Sequence, residues 1–286
     1  MLYIIIALFI WASSFTAGKY AYTMFDPAMA VQIRFFIASA IALPLFLKSY
    51  PTIDKSLRQK LWGISLLMFP IGILVQFIGL SYTSASSAVV MIGAEPIMIL
   101  ILGFLLFKQK IAIYDWLLSV IAFLGIGLLV LGSQTDEVVN LFGLFLVFIA
   151  GMGFALSVHL AKNIMNVIDN QAYTAIILVQ GAIISLPISL SVIKDWTIHF
   201  NWLGLLSVIY LGIGCSWLAY KLWNLGLNKT PAHISGMLIV LEPVFGVLIA
   251  FLFLGETMSL LTALGSILVI GSAILSTLIP IIKKNN

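Results

Sequence analysis

The residues with the clearest chemical potential are Glu95 and Glu242, which stand in long apolar segments and are each followed by a proline. Each stands about eleven residues into its segment, which in a helix rising about 1.5 Å per residue is about 16 Å deep. An ionised carboxylate at that depth costs about 2.5–3.5 kcal/mol. One interpretation is a pair of proton-exchanging groups, because burial favours the neutral carboxyl group. The alternative is structural: each glutamate is protonated, or bonds to backbone groups opened by Pro96 or Pro243.

Arg34 is a third charged residue inside an apolar segment, about six residues from its start. Its planar guanidinium group can bind a carboxylate or another anionic group through two parallel hydrogen bonds. The alternatives are an ion pair with Glu95 or Glu242, or extension of the side chain towards the membrane surface. Lys221 is expected to extend to the surface in the same way.

Aromatic and neutral polar side chains occupy the same set of segments. Aromatic rings can hold organic cations or flat apolar groups, although tryptophan and tyrosine are also common at membrane surfaces. A neutral amide can supply further hydrogen bonds. Besides Arg34 and the two glutamates, the predicted substrate-binding residues are Trp11, Ser14, Gln76, Trp217 and Tyr220.

Other chemistries are not indicated. No histidine, cysteine or acidic cluster has the spacing of a metal site, and neither a phosphate-binding loop nor a nucleophile–base arrangement is present. The single cysteine, Cys215, cannot form an intramolecular disulfide. His159 is expected to be hydrogen-bonded near the inner surface, with a proton relay as the alternative. The 14 basic residues are dispersed, so the net charge of +4 does not indicate nucleic-acid binding.

The composition places most of the chain in lipid. Hydrophobic residues make up 62% and charged residues 8%, against about 45–50% and about 25% in soluble proteins. Continuous apolar runs of about 20 residues predict helices that cross a membrane. The first run lacks a basic start and is expected to be retained as a helix rather than cleaved. Ten runs qualify: Leu2–Tyr22, Ala28–Leu47, Leu61–Leu80, Ser84–Phe107, Ile111–Gly132, Leu141–Ala161, Gln171–Ile193, Trp202–Trp223, Pro231–Leu254 and Ser259–Ile282.

The charges between the runs predict the orientation. Basic residues cluster after the second, fourth and sixth runs, before the ninth and at the C-terminus, whereas Asp26, Asp136, Asp195 and Glu256 fall on the other side. Because cytoplasmic loops carry an excess of lysine and arginine, both termini are predicted to be cytoplasmic. The expected location is the bacterial inner membrane, which the chain crosses many times.

An internal repeat relates the two halves. Residues 79–106 align without a gap to residues 226–253 at an offset of 147, which pairs Glu95 with Glu242. Earlier in each half the offset is 143, which pairs Trp11 with Phe154 and Lys19 with Lys162. A unit of five helices reverses its direction on repetition. The predicted fold is therefore an all-α membrane protein of two inverted five-helix repeats, residues 1–136 and 137–286.

The order of several motifs resembles the drug/metabolite transporter superfamily, in its ten-helix EamA-type branch. These motifs are Trp11-Ala12-Ser13-Ser14-Phe15, Arg34-Phe35, Glu95-Pro96, Tyr220-x-x-Trp223, Thr230-Pro231-Ala232 and Leu241-Glu242-Pro243-Val244. The sequence departs from the family at Ala12, where glycine is frequent, and at Lys108-Gln109, where a Gly-Glu pair is usual. The resemblance implies export or uptake of amino acids, other metabolites or toxic organic compounds without ATP hydrolysis. It also implies a cavity lined by helices one, three, four, six, eight and nine.

The combined prediction is a secondary active transporter that works by alternating access and is not an enzyme. It would carry amino-acid-like metabolites or drugs, with efflux favoured over uptake and with Glu95 and Glu242 as candidate proton-coupling groups. Less favoured classes are a membrane-embedded lipid-modifying enzyme and a non-transporting sensor or assembly subunit. The predicted partners are a small-molecule substrate, the lipid bilayer and protons. No cofactor, metal or nucleic acid is predicted, and the chain is expected to be a monomer or a homodimer.

Overall fold

Helices make up the fold of the described residues. A computed structural model describes residues 1–83, 91–132, 140–254 and 259–285, and this part of the chain contains no strand. The helices are α1 (Leu2–Tyr22), α2 (Pro27–Ser49), α3 (Lys55–Tyr82), α4 (Glu95–Leu105), α5 (Ile113–Gly132), α6 (Leu141–Ile164), α7 (Asn170–Val192), α8 (Trp202–Lys229), α9a (Ala232–Ile239), α9b (Leu241–Leu254) and α10 (Leu260–Asn285).

Eight of the described helices are long and apolar enough to cross a membrane. The predicted fourth and ninth spans correspond to shorter helices, α4 and the α9a–α9b pair, so the count of ten spans stays a prediction. Among these eight helices the largest differences from the predicted boundaries are that α3 begins at Lys55 and that α8 continues to Lys229. Both extensions carry polar turns that continue the helix past the apolar run. The predicted border between the halves at 136/137 lies outside the described residues, as do Asp136 and Glu256.

Several helices begin at a side chain that accepts hydrogen bonds from the first turn. Asp26 Oδ1 accepts from the backbone of α2 at 2.9 Å, with proline as the next residue. Asn140, Asp169 and Asn201 cap α6, α7 and α8 in the same way. Such a cap satisfies backbone N–H groups that have no partner inside the helix. These four polar residues therefore fix where the apolar helices start.

Each of these helices packs against helices that are distant from it in the sequence. α2 packs along α7, and α5 packs along α10. α1 packs against α8 and the α9 pair, while α6 packs against α3 and α4. α1 therefore lies against helices that are late in the chain, and α6 lies against helices that are early in it.

Close approach at these crossings depends on particular glycines. A Cβ atom on Gly79 of α3 would lie 2.8 Å from the carbonyl oxygen of Gly143 of α6. Between α5 and α10, a Cβ atom on Gly265 would lie 2.4 Å from the carbonyl oxygen of Gly125. Small residues let helix backbones approach in this way.

Two helices contain a π-helical segment, Leu67–Leu74 in α3 and Leu211–Leu218 in α8. In the first, Pro70 has no N–H group and interrupts the normal backbone hydrogen bonding. Both segments lie near the middle of their helices. Since π-helical turns are uncommon and concentrate at functional sites, they direct attention to the space between α3 and α8.

Candidate functional site

A cavity of about 570 Å³, part of it open to solvent, lies between α1, α2, α3 and α8. α4, α6 and the α9 pair complete its wall. The side chains that line it are mainly aromatic and apolar, with five polar groups among them. The lining residues are Trp11, Ser14, Phe15, Arg34, Gly72, Ile73, Gln76, Phe77, Ile92, Glu95, Ala150, Phe154, Tyr220, Ile239 and Glu242.

All of the predicted site residues except Trp217 lie on this cavity. Trp217 is half-buried against the core, and the Lys221 ammonium group lies 5.4 Å from the centre of its ring. Trp217 therefore does not line the cavity with the other residues that were predicted to bind substrate. It also gives Lys221 an aromatic partner within the protein.

Glu95 and Glu242 each stand in the first turn of a helix that begins inside the bundle. Glu95 is the first residue of α4, and Glu242 is the second residue of α9b, directly after the interruption at Val240. Each following proline occupies the first turn, where its missing N–H group removes no helix bond. Acidic side chains are favoured at this end of a helix, because its backbone N–H groups point towards them.

The two carboxyl groups share one environment. Glu95 is 5% exposed and Glu242 is 8% exposed, and both side chains line the same cavity. Glu95 packs over Gly151 of α6, where a Cβ atom would lie 3.4 Å from Glu95 Cγ. No described residue donates a hydrogen bond to either carboxyl group. The expected bonds to backbone groups opened by proline are therefore not formed in this part of the chain.

Arg34 reaches the same cavity from α2 with one side of its guanidinium group held. Its Nε atom donates a hydrogen bond to Ser216 Oγ at 2.9 Å, and its Cζ atom lies 5.0 Å from the centre of the Phe77 ring. Arg34 is only 2% exposed, and its terminal nitrogens have no hydrogen-bond acceptor among the described residues. The expected ion pair with Glu95 or Glu242 is not formed. The two free nitrogens leave the guanidinium group able to bind an anionic group.

An aromatic cluster closes the cavity at one end. The Trp11 ring lies 5.1 Å from Tyr220 and 5.4 Å from Trp223, and Trp223 lies 5.9 Å from Phe154. Trp223 is fully buried. Phe154 carries a sequence signal, because it aligns with Trp11 in the repeat. We call Trp11, Phe154, Tyr220 and Trp223 the aromatic floor.

The opposite end of the cavity is nearer the turn between α1 and α2. Ser14 lies in the second part of α1 and Arg34 in the first part of α2, one on each side of this turn. Gln76 lies in the last two turns of α3. Phe15 stacks on Phe77 at 6.5 Å along this part of the wall. We call this end of the bundle the α1–α2 face and the other end, with the turn between α8 and α9a, the α8–α9 face. The aromatic floor separates the cavity from the α8–α9 face.

His159 and Cys215 lie outside the lining of the cavity. His159 Nε2 donates a hydrogen bond to Ile99 O at 2.8 Å, its Nδ1 accepts one from Gln109 Nε2 at 3.2 Å, and its ring stacks on Phe107. These contacts agree with the expected hydrogen-bonded histidine. Cys215 is buried, and its carbonyl oxygen accepts a hydrogen bond from Trp11 Nε1 at 2.9 Å.

The fold and the cavity define a multi-pass helical membrane protein with a polar site between its helices. The chain belongs to the EamA-like transporter family, whose model matches residues 1–131 and 141–278. It is 28% identical to the uncharacterized transporter YetK of Bacillus subtilis, over 97% of this chain and 85% of that protein. It is 44% identical to an uncharacterized transporter of Haemophilus influenzae, over 48% of this chain and 83% of that protein.

A solved structure shares the fold. A crystal structure of a protein matches with a TM-score of 0.77, covering 97% of this chain and 96% of that chain at 17% sequence identity. The family and the relatives place this protein among membrane transporters, which implies a small-molecule substrate and a lipid bilayer.

Proposed function

We propose that this protein is a secondary carrier that exports amino-acid-like zwitterions across the bacterial inner membrane by alternating access, with both termini in the cytoplasm. The observation that carries the proposal is the composition of the cavity. Arg34, with free terminal nitrogens, and two carboxyl groups without hydrogen-bond donors share a space walled by aromatic rings. A ligand with one anionic group, one cationic group and an apolar part complements all three features.

Each part of such a ligand has a counterpart in the cavity. The carboxylate would bind the terminal nitrogens of Arg34, which can form two parallel hydrogen bonds. The ammonium group would lie near Glu95 or Glu242, at least one of which is then ionised. The apolar side chain would pack on Trp11, Phe154 or Tyr220. Neutral hydrophobic drugs use only the last of these contacts, so they are the second substrate class.

Alternating access rests on ten spans arranged as inverted halves, 1–136 and 137–286. Several observations support this arrangement. The π-helical segments Leu67–Leu74 and Leu211–Leu218 correspond at an offset of 144 residues, from 211 − 67 and 218 − 74. The contacts of α1 with α8 have their counterpart in those of α6 with α3. The family model also matches two ranges, one in each half.

Proton coupling is the part of the proposal that involves both glutamates. A proton on either carboxyl group weakens the hold on an ammonium group. Proton entry from the side of higher proton concentration would therefore release the substrate there and drive export. The α1–α2 face, predicted to be outside, is the one nearer the polar wall of the cavity in this structure.

The deciding experiment is transport by the purified protein in sealed proteoliposomes, with a panel of radiolabelled amino acids and an imposed pH gradient. We expect saturable flux of a zwitterion with an apolar side chain, and a loss of about tenfold or more for Arg34→Gln, since hydrogen bonds to charged groups are among the strongest. Arg58→Gln is the matched control, because Arg58 lies in the first turn of α3 outside the cavity, with its Cζ atom 4.8 Å from the centre of the Tyr50 ring. Flux of neutral drugs alone, unaffected by Arg34→Gln, would refute the zwitterion assignment. The direction of the gradient that drives flux distinguishes export from uptake.

A further inference from the structure

Lys162 closes the α8–α9 face by binding the end of a helix. Its Nζ atom donates to the carbonyl oxygens of Leu227, Asn228 and Thr230 at 2.9, 3.3 and 2.6 Å. Three donors on the ammonium group thus meet three carbonyl acceptors at the end of α8. Backbone carbonyls at a helix C-terminus lack partners inside the helix and carry partial negative charge, so a lysine there is favourable. This contact ties the end of α6 to the turn between α8 and α9a.

The repeat gives Lys162 a counterpart on the other face. Lys162 aligns with Lys19 of α1 at the offset of 143, and the three carbonyl-bearing residues align with Leu80, Ser81 and Thr83 at the offset of 147. The second group is the end of α3. The two lysines therefore occupy equivalent positions relative to equivalent helix ends, on opposite faces of the bundle.

Lys19 is not bound to that helix end in this structure. It is exposed and makes no hydrogen bond with a residue that the structure describes. Lys19 nevertheless lies on the side of α1 that faces α3. Phe15 is four residues before it and Tyr22 is three residues after it, so all three share one face of the helix. Both Phe15 and Tyr22 contact Phe77 of α3. The cavity also lies nearer this face. One lysine is thus engaged where the protein is closed, and its counterpart is disengaged beside the cavity.

We propose that Lys19 and Lys162 are alternating latches, each of which binds the carbonyl groups at the end of the facing helix when its side of the transporter is closed. The proposal rests on the alternating-access function proposed above. In this structure the Lys162 latch is closed and the Lys19 latch is open. On conversion to the opposite state, Lys162 releases α8 and Lys19 binds the carbonyl oxygens of Leu80, Ser81 and Thr83.

The test measures both faces by pulsed electron-spin resonance on the full chain in lipid nanodiscs. In a Cys215→Ala background, one pair of spin labels at Thr16 and Ser81 reports the α1–α2 face. A second pair at Asn163 and Asn228 reports the α8–α9 face, and all four positions are exposed. We expect Lys162→Gln to raise the ratio of the state open at the α8–α9 face by about tenfold, and Lys19→Gln to lower it.

Lys229→Gln is the control, because Lys229 lies on the same face as Lys162 but its ammonium group contacts only the Tyr3 ring among the described residues. The wild type is expected to show two states, each open at one face and closed at the other. If it does, and if both lysine variants elute as monodisperse protein with unchanged distance distributions, the latches are overturned and alternating access stands. Shifts in the same direction for both lysine variants would also overturn them. A single wild-type state on both faces would refute alternating access itself, and the latches with it.

Discussion

The indole nitrogen of Trp11 donates a 2.9 Å hydrogen bond to the carbonyl oxygen of Cys215, which belongs to the π-helical segment of α8. This bond joins the first half of the chain to the second at the wall of the cavity. In a π-helical turn the carbonyl groups are displaced from their usual partners, which gives a side chain access to one of them. The ring that makes this bond also packs on Tyr220 and Trp223, so one residue both fixes the π segment and forms the aromatic floor.

Replacing Trp11 by phenylalanine should therefore cost more stability than its loss of ring area alone. The buried carbonyl group of Cys215 loses its donor, at a cost of about 1 kcal/mol or more. Trp223→Phe is the matched control, because its indole nitrogen makes no hydrogen bond with a described residue. Thermal unfolding in one detergent would compare them. Equal losses of melting temperature would show that the hydrogen bond contributes nothing.

The pairing of Gly125 with Gly265 makes a prediction about the contact of α5 with α10. In Gly265→Ala the new methyl group would lie 2.4 Å from Gly125 O and 2.6 Å from Leu129 N, both of them backbone atoms. The helices must separate, at a cost of about 1–3 kcal/mol. Gly127→Ala is the control, because no atom lies within 4 Å of its Cβ position. An unfolding temperature of Gly265→Ala equal to that of Gly127→Ala would contradict the close crossing.

Lys194 lies in the segment between α7 and α8 and interacts with Tyr82 at the end of α3. A hydrogen bond from the lysine to the tyrosine oxygen raises the pKa of Lys194. Because the pKa is raised on folding, this contact contributes fully below the ordinary lysine pKa and is lost as the pH rises through the raised value. Tyr82→Phe should lower the pKa of Lys194 towards its ordinary value. The pH dependence of amine labelling at Lys194 measures this, and an unchanged profile would rule out the Tyr82 contact.

The sequence predicted the polar side chains that line the cavity, because these residues conflict with their apolar surroundings. A charge such as Arg34 or Glu95 within an apolar run needs a protein environment, and the repeat indicates that Glu95 and Glu242 belong to one site. Trp217 lies outside the lining of this cavity, since position along a helix does not fix the direction of a side chain. Its exposure depends on where α8 turns at its π segment.

Features that depend on contacts distant in sequence were not predicted. The π segment of α8 contains no proline and packs against α1 and α2. The sequence predicted one continuous ninth run, Pro231–Leu254, whereas the structure ends α9a at Ile239 and begins α9b at Leu241. Gly125 of α5 and Gly265 of α10 meet, but Gly127 and Gly271 on the same two helices have open space beside them. Only the rotation of the helices about their axes distinguishes the two pairs.

The two glutamates allow the coupling mechanism to be separated from substrate binding. Glu95→Gln and Glu242→Gln keep the shape of each side chain but fix it in a neutral form. If proton exchange drives export, each single variant should lose transport driven by a pH gradient, by about tenfold or more. It should retain exchange of labelled for unlabelled substrate, because the other glutamate still holds the ammonium group and exchange needs no net proton movement. Asp54→Asn, before α3 and exposed, controls for the loss of a carboxylate. Flux in proteoliposomes would be measured in both modes. If gradient-driven flux survives in the double variant, neither carboxyl group carries the coupled proton. Loss of both modes in one single variant would assign that glutamate to holding the ammonium group and leave the other to carry the proton.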